Sequence, residues 1–152
     1  MLLTSPSFNS GEAVPRKFTC EGGDINPELQ IQNVPSEAKS LALILHDPDA
    51  PDPAAPRPTG FTHWVVWNID PATTLIKQES IPLGGTEGKN SGDRNGYMGP
   101  CPRVGEHRYY FQLYALDTKM DIPAASGKQE LEKAMEGHII EQTELVGLYR
   151  KD

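Results

Sequence analysis

The sequence predicts a single, mostly β domain, and three observations point there. Its 14 glycines and 14 prolines cluster between apolar runs, so they punctuate strands rather than loosen the chain. The run Leu41-Ala42-Leu43-Ile44-Leu45 is nearly continuous in apolar residues, as in a strand buried on both faces. Residues 61–69 are aromatic and β-branched and follow a connection with five prolines, which makes an antiparallel return beside the first run the simplest pairing.

Taken in order, short edge pieces are expected at residues 2–5 and 145–149, with longer strands at 29–33, 40–47, 61–69 and 107–117. In the strand from 107 the period of two sets His107, Tyr109, Phe111 and Leu113 on one face. The segment 82–106 carries seven glycines and three prolines, and a loop of that length in a compact domain is usually functional or disordered. Tyr97, Pro100, Cys101 and Pro102 favour order. One helix is predicted from the apolar stripe Leu131, Ala134, Met135, His138 and Ile139, with Ser126 as its N-cap and the sheet beneath it. His138 is expected to pack half-buried on that stripe, outside any site.

At 152 residues the chain can bury a core without a disulfide or structural metal. The net charge of −7 and scattered Lys and Arg argue against nucleic acid or an anionic membrane surface as partner. The first residues lack the charged and apolar regions of a signal peptide and no stretch reaches membrane-spanning length, so a cytoplasmic location is expected. Cys20 and Cys101 have neither metal-ligand spacing nor the density of a secreted scaffold, and reduced thiols are expected. A pair would require their Cα atoms to approach closely, which spacing alone does not show.

Function is expected where polar groups sit at strand ends. An antiparallel return sets Asp47, at the end of one strand, beside His63, at the start of the next, and His107 opens a third. Pro48, Pro51, Pro53, Pro56 and Pro58 stiffen the connection that follows Asp47. Singly, Asp47 or Asp49 can cap a turn and either histidine can be a satisfied edge residue. Together with Tyr109 and a Gly/Pro-rich loop they form a cluster of donors suited to a phosphate or carboxylate oxygen, with Asp47 to orient a histidine or to accept a cationic group. Neutral or protonated, His63 and His107 are expected among the anion's donors, the protonated form binding more tightly.

Thr19-Cys20-Glu21-Gly22, the Asp47 to Pro51 segment, His63-Trp64, Gly96-Tyr97-Met98-Gly99-Pro100-Cys101-Pro102, Gly105 to Tyr109 and Ala134-Met135-Glu136-Gly137-His138 resemble the phosphatidylethanolamine-binding protein family. The likeness is nearest to its bacterial and archaeal, Raf kinase inhibitor-like members and runs almost end to end. It implies an antiparallel β-sandwich-like core flanked by a C-terminal helix, a cis Ala50–Pro51 bond, and a small anion pocket lined by Asp47, His63, Gly99, Pro102, His107 and Tyr109. Met98 and Arg103 stand where related prokaryotic sequences tend to have a small or polar residue and a second proline, so the pocket rim is where this chain departs from the pattern. It also ends without the longer C-terminal helix that many eukaryotic members place over the pocket, and kinase regulation is not carried over.

The expected function is therefore non-enzymatic binding of a small anionic or zwitterionic, phosphate-bearing ligand, with neither cofactor nor resident metal. No Gly-x-Ser-x-Gly elbow, Walker loop or His-Glu-x-x-His run occurs. One alternative is a protein inhibitor of a serine protease or signalling enzyme, presenting the rigid loop 51–58 to its partner. Another is a hydrolase holding a divalent metal on Asp47, Asp49, His63 and His107, whose spacings match no metal motif. The partner's identity stays open, and a homodimer is the assembly considered.

Overall fold

The computed structural model describes residues 1–151 as two antiparallel sheets and one helix. The strands are β1 (Leu2–Thr4), β2 (Leu29–Gln32), β3 (Ser40–Asp47), β4 (Phe61–Ile69), β5 (Leu75–Ile76), β6 (Thr86–Glu87), β7 (Glu106–Leu116) and β8 (Ile139–Arg150), with the helix α1 (Lys128–Met135) between the last two. One sheet has the order β1-β2-β5 and the other β6-β4-β3-β7-β8. The continuous apolar run thus forms the central strand, antiparallel to both neighbours.

That position explains its composition. Leu41, Leu43 and Leu45 face the smaller sheet, meeting Leu3, Leu29 and Ile31 in the main core with Trp64, Val66, Phe111 and Leu113. Ala42 and Ile44 face the other way, with Val65, Trp67, Tyr114 and Leu116, against Leu131 and Met135 of α1. Each of those two helix side chains, fully buried, contributes roughly 1.5–3 kcal/mol of hydrophobic stabilisation. The eight-residue α1 depends on this packing, because helices so short are marginal alone.

The helix corrects three expectations. It begins after Gly127, which supplies no side-chain cap, rather than after Ser126; Ser126 is instead buried in a turn, its carbonyl accepting from the Lys89 N–H. It ends at Met135 because Gly137 takes φ 78°, the left-handed conformation that stops helices. His138 and Ile139 therefore leave the stripe: His138 is half-buried as expected but off the helix, its ring bonding Asp117 Oδ1 at 2.8 Å, and Ile139 opens β8.

The last strand is far longer than expected, pairing with β7 from Leu116↔Ile139 to Glu106↔Arg150. Its first half is mostly exposed and shows no apolar alternation, so only the stretch from Leu145 carried a readable signal. Along that second half the segment 10–14 covers the outer edge, with Val14 donating to the Leu148 carbonyl and Leu148 to that of Glu12. Gly147 permits the crossing, since a Cβ there would lie 2.4 Å from Val14 Cγ2.

Cys20 and Cys101 form a disulfide, not the free thiols expected, with Cα atoms 5.4 Å apart across 81 residues of sequence. The fold meets the condition that spacing could not show. A disulfide also fits a reducing cytosol poorly. Ala50–Pro51 is cis, and no helix among the described residues is long and apolar enough to cross a membrane.

Candidate functional site

The ends of β3, β4 and β7 meet at one corner of the larger sheet. Asp47 stands opposite Phe61 in the β3–β4 register, and Asp47 Oδ2 lies 2.6 Å from His107 Nδ1 on β7. His63 reaches the same corner through an irregularity. Leu45 pairs with Trp64 and His46 with Thr62, which leaves His63 as the extra residue of a β-bulge. Strict alternation would group His63 with Val65 and Trp67 on the helix side. The bulge turns it to the inter-sheet side, where its ring meets Tyr109 edge-on with centroids 5.3 Å apart. Re-aiming one side chain is a common role of bulges beside functional sites.

Two loops complete the enclosure. The proline-rich connection after β3 folds back through Gly60, whose φ of 57° and lack of space (a Cβ would lie 2.4 Å from the Asp47 carbonyl oxygen) exclude other residues. The loop carrying Gly99 is tied to the segment 18–24: Tyr97 Oη donates to the Phe18 carbonyl, the Gly99 N–H to Asp24 Oδ1 and the Cys20 N–H to the Pro100 carbonyl. The disulfide adds a covalent tie. A Cβ on Gly99 would approach the Phe18 carbonyl oxygen to 2.3 Å, so only glycine allows the loop to lie this close.

The result is a cavity of about 310 Å³, and all six residues expected at the site, Asp47, His63, Gly99, Pro102, His107 and Tyr109, line it. Its volume sits at the lower end of the range for small-molecule sites. The remaining lining includes Phe61, Met98, Arg57 and Arg103. Sequence reasoning missed Arg57 as a site residue, since an arginine among prolines carries no signal of direction; Arg103 was visible only as a departure at the rim.

The polar groups differ in what they have left to offer. His107 Nε2 lies 2.8 Å from the Val104 carbonyl oxygen; a carbonyl only accepts, so Nε2 carries a hydrogen. Nδ1 faces Asp47, whose other oxygen accepts from the Asp49 N–H. Both ring nitrogens of His107 are thus engaged. Burial pushes the Asp47 carboxyl up from its ordinary range, against the bonds from His107 and Asp49 that favour its charge. Asp49 makes a two-oxygen pair with the Arg108 guanidinium, which holds its carboxyl below the usual range. These contacts correct the expectation that His107 donates to an anion, and they occupy three of the four residues of the metal reading, Asp47, Asp49 and His107.

His63 Nδ1 lies 2.8 Å from the Met98 carbonyl oxygen, and burial lowers its pKa to about 4. It is a neutral imidazole at physiological pH, without the charge that would make it the tighter anion donor. Tyr109 is fully buried; its hydroxyl makes no well-formed hydrogen bond but lies near Asp47 and the Cys101 backbone, and burial with the Asp47 carboxyl pushes its pKa up, so it stays protonated.

The histidines give a stability signature. His63 and His46 both fall to about 4, mainly through burial. Between that value and an unfolded pKa near 6.5 the unfolded chain binds more protons, so stability is lost as pH falls through this window. For His63 the loss is on the order of 2–3 kcal/mol. Asp47, raised in the folded state, works in the opposite sense, with stability falling as pH rises above its unfolded pKa. The His63 contribution is therefore read as the difference in slope between the protein and His63→Gln in denaturation midpoints from pH 4 to 7. Equal slopes would contradict a neutral buried imidazole.

Comparison with known proteins agrees with this architecture. The model of the phosphatidylethanolamine-binding protein family matches residues 4–150. A UPF0098 protein of Methanothermobacter thermautotrophicus is 43% identical over 156 residues, covering 99% of each chain. One from Pyrococcus horikoshii is 45% identical over 160 residues, covering 99% of this chain and 77% of the relative. Among solved structures, a putative phosphatidylethanolamine-binding protein homologue of Chlamydia trachomatis superposes with a TM-score of 0.92 at 41% identity, covering 99% of this chain and 97% of the other. E. coli YbcL, described as a new member of the mammalian family, superposes with a TM-score of 0.88 at 28% identity over 99% and 98% of the two chains. With the sequence matched nearly end to end and the fold reproduced, the chain belongs to the phosphatidylethanolamine-binding protein family.

Proposed function

We propose that the protein binds a small anionic group, a phosphate above all, in this cavity without transforming it. The observation behind this reading is the lining of the cavity, which joins two arginines to a neutral histidine and a neutral tyrosine. Arg57 and Arg103 add positive charge to the lining, while the Asp47 carboxylate is matched by His107. The absence of chemistry is supported by the lining itself, which contains no Ser, Thr or Lys, and whose one cysteine is held in the disulfide.

Calorimetric titration with methyl phosphate tests the reading. Arg57→Gln removes one of the two cations of the lining, so affinity should fall by about tenfold or more, as for a hydrogen bond to a charged group. Unchanged affinity in that variant, or no binding to the unaltered protein, would refute it.

A further inference from the structure

We infer that the Cys20–Cys101 disulfide is a thiol-exchange site, at which a low-molecular-weight thiol adds to Cys20 and releases Cys101 as a thiolate. The reaction is independent of what the cavity binds. Both half-cystines are exposed, so an incoming thiolate can reach the bond in the folded protein. Their electrostatic surroundings differ. Cys101 Sγ lies 4.0 Å from the Lys151 ammonium, and Arg103, two residues on, lines the same cavity as Cys101. Around Cys20 the charges offset one another. Arg16 donates through Nε to the Glu21 carbonyl, and the Glu21 carboxylate stands beside it, accepting from the Tyr149 hydroxyl. Lys17 is turned to the Phe18 ring, and Asp24 accepts from the Gly99 N–H.

Exchange is a displacement at sulfur. A bond forms between the incoming sulfur and Cys20 Sγ while the Cys20–Cys101 bond breaks, and the electron pair of the broken bond leaves on Cys101 Sγ. One disulfide is traded for another, so no separate oxidant or reductant is consumed; the proton of the incoming thiol goes to solvent. The sulfur with the lower thiol pKa leaves faster, and a neighbouring lysine lowers that pKa. Lys151 therefore selects Cys101 as the leaving sulfur and Cys20 as the one attacked. The product keeps its shape near the bond, because the Cys20 N–H to Pro100, Tyr97 to Phe18 and Gly99 to Asp24 hydrogen bonds still join the two segments. Held close, the Cys101 thiolate can attack Cys20 Sγ in turn and expel the added thiol. The modification is thus reversible, and while it lasts a thiolate stands in the cavity lining.

The test gives the oxidised, folded protein an equimolar amount of glutathione, caps freed thiols with iodoacetamide and maps both cysteine peptides by mass spectrometry without reduction. Glutathione on Cys20 with the cap on Cys101 should exceed the reverse pattern by about two- to fivefold, the scale of an exposed charge pair. Lys151→Gln, at an exposed position, should bring the two patterns toward equality, and molar salt should do the same by screening the ammonium. Uncharged 2-mercaptoethanol should show the same preference as anionic glutathione, which separates a leaving-group effect from attraction of the incoming anion. Equal patterns in the parent protein, an adduct mainly on Cys101, or a preference that Lys151→Gln leaves unmoved would overturn the inference. So would the absence of any adduct on the folded protein.

Discussion

Asp47→Ala is expected to destabilise the protein by about 3–5 kcal/mol, because it leaves two buried groups unpaired, the His107 ring and the Asp49 N–H, at roughly 1–3 kcal/mol each. Asp47 is 2% exposed and His107 1%, so water cannot replace the lost carboxylate. Nor can the ring turn to a new partner, because its other nitrogen is held by the Val104 carbonyl. The same substitution frees the Asp49 N–H, which Asp47 Oδ1 accepts at 2.7 Å, at the point where the chain enters the proline-rich loop. Asp47→Asn separates charge from hydrogen bonding. Burial already pushes the Asp47 carboxyl toward its neutral form, and an amide can accept from Asp49 while donating to an unprotonated His107 Nδ1. The Asn variant should therefore lose only about 1 kcal/mol, the scale of one ordinary hydrogen bond. Equilibrium denaturation of the two variants checks both figures. A cost for Asn equal to that of Ala would mean that the pair is held by charge, and a cost below about 1 kcal/mol for Ala would remove its structural role.

The sequence reveals most where burial imposes a pattern. A strand apolar on both faces could only be central, and β3 lies between β4 and β7 with a core on each side. The meeting of Asp47, His63 and His107 followed from antiparallel pairing. Gly99 and Pro102, distant in sequence from those strand ends, came from family resemblance, because local pattern does not say where a long loop lies. The features that escaped were those in which tertiary contacts override a local period. The bulge at His63 breaks the alternation that would have sent the ring to the helix side, Gly137 cuts the apolar stripe of α1 two residues after the helix ends, and the exposed first half of β8 is specified by pairing with β7 rather than by its own composition. The chemical state of the site was hidden for the same reason. Residue type makes His63 and His107 equivalent donors, whereas Met98 engages one nitrogen of the His63 ring and Asp47 and Val104 engage both nitrogens of His107.

Removal of the Cys20–Cys101 disulfide is expected to have a comparably large effect on stability. It closes a loop across 81 residues, and in the chain-entropy account a cross-link of that span stabilises by about 4 kcal/mol, chiefly by restricting the unfolded chain. Both half-cystines are exposed, so a small dithiol can reach the bond in the folded protein. The consequence is not confined to the unfolded state, because Cys101 lines the cavity. After reduction the loop is still held by Tyr97, Gly99 and Pro100 through three hydrogen bonds to the segment 18–24. Each contributes only about 1 kcal/mol net, so the wall should persist but open more readily, and methyl phosphate affinity should fall by severalfold. The double variant Cys20→Ser, Cys101→Ser should match the reduced protein in denaturation midpoint and show no response to reductant. If reductant exposes two titratable thiols yet leaves the midpoint of the parent protein unmoved, the cross-link contributes nothing to stability, and the polar ties alone hold the pocket wall.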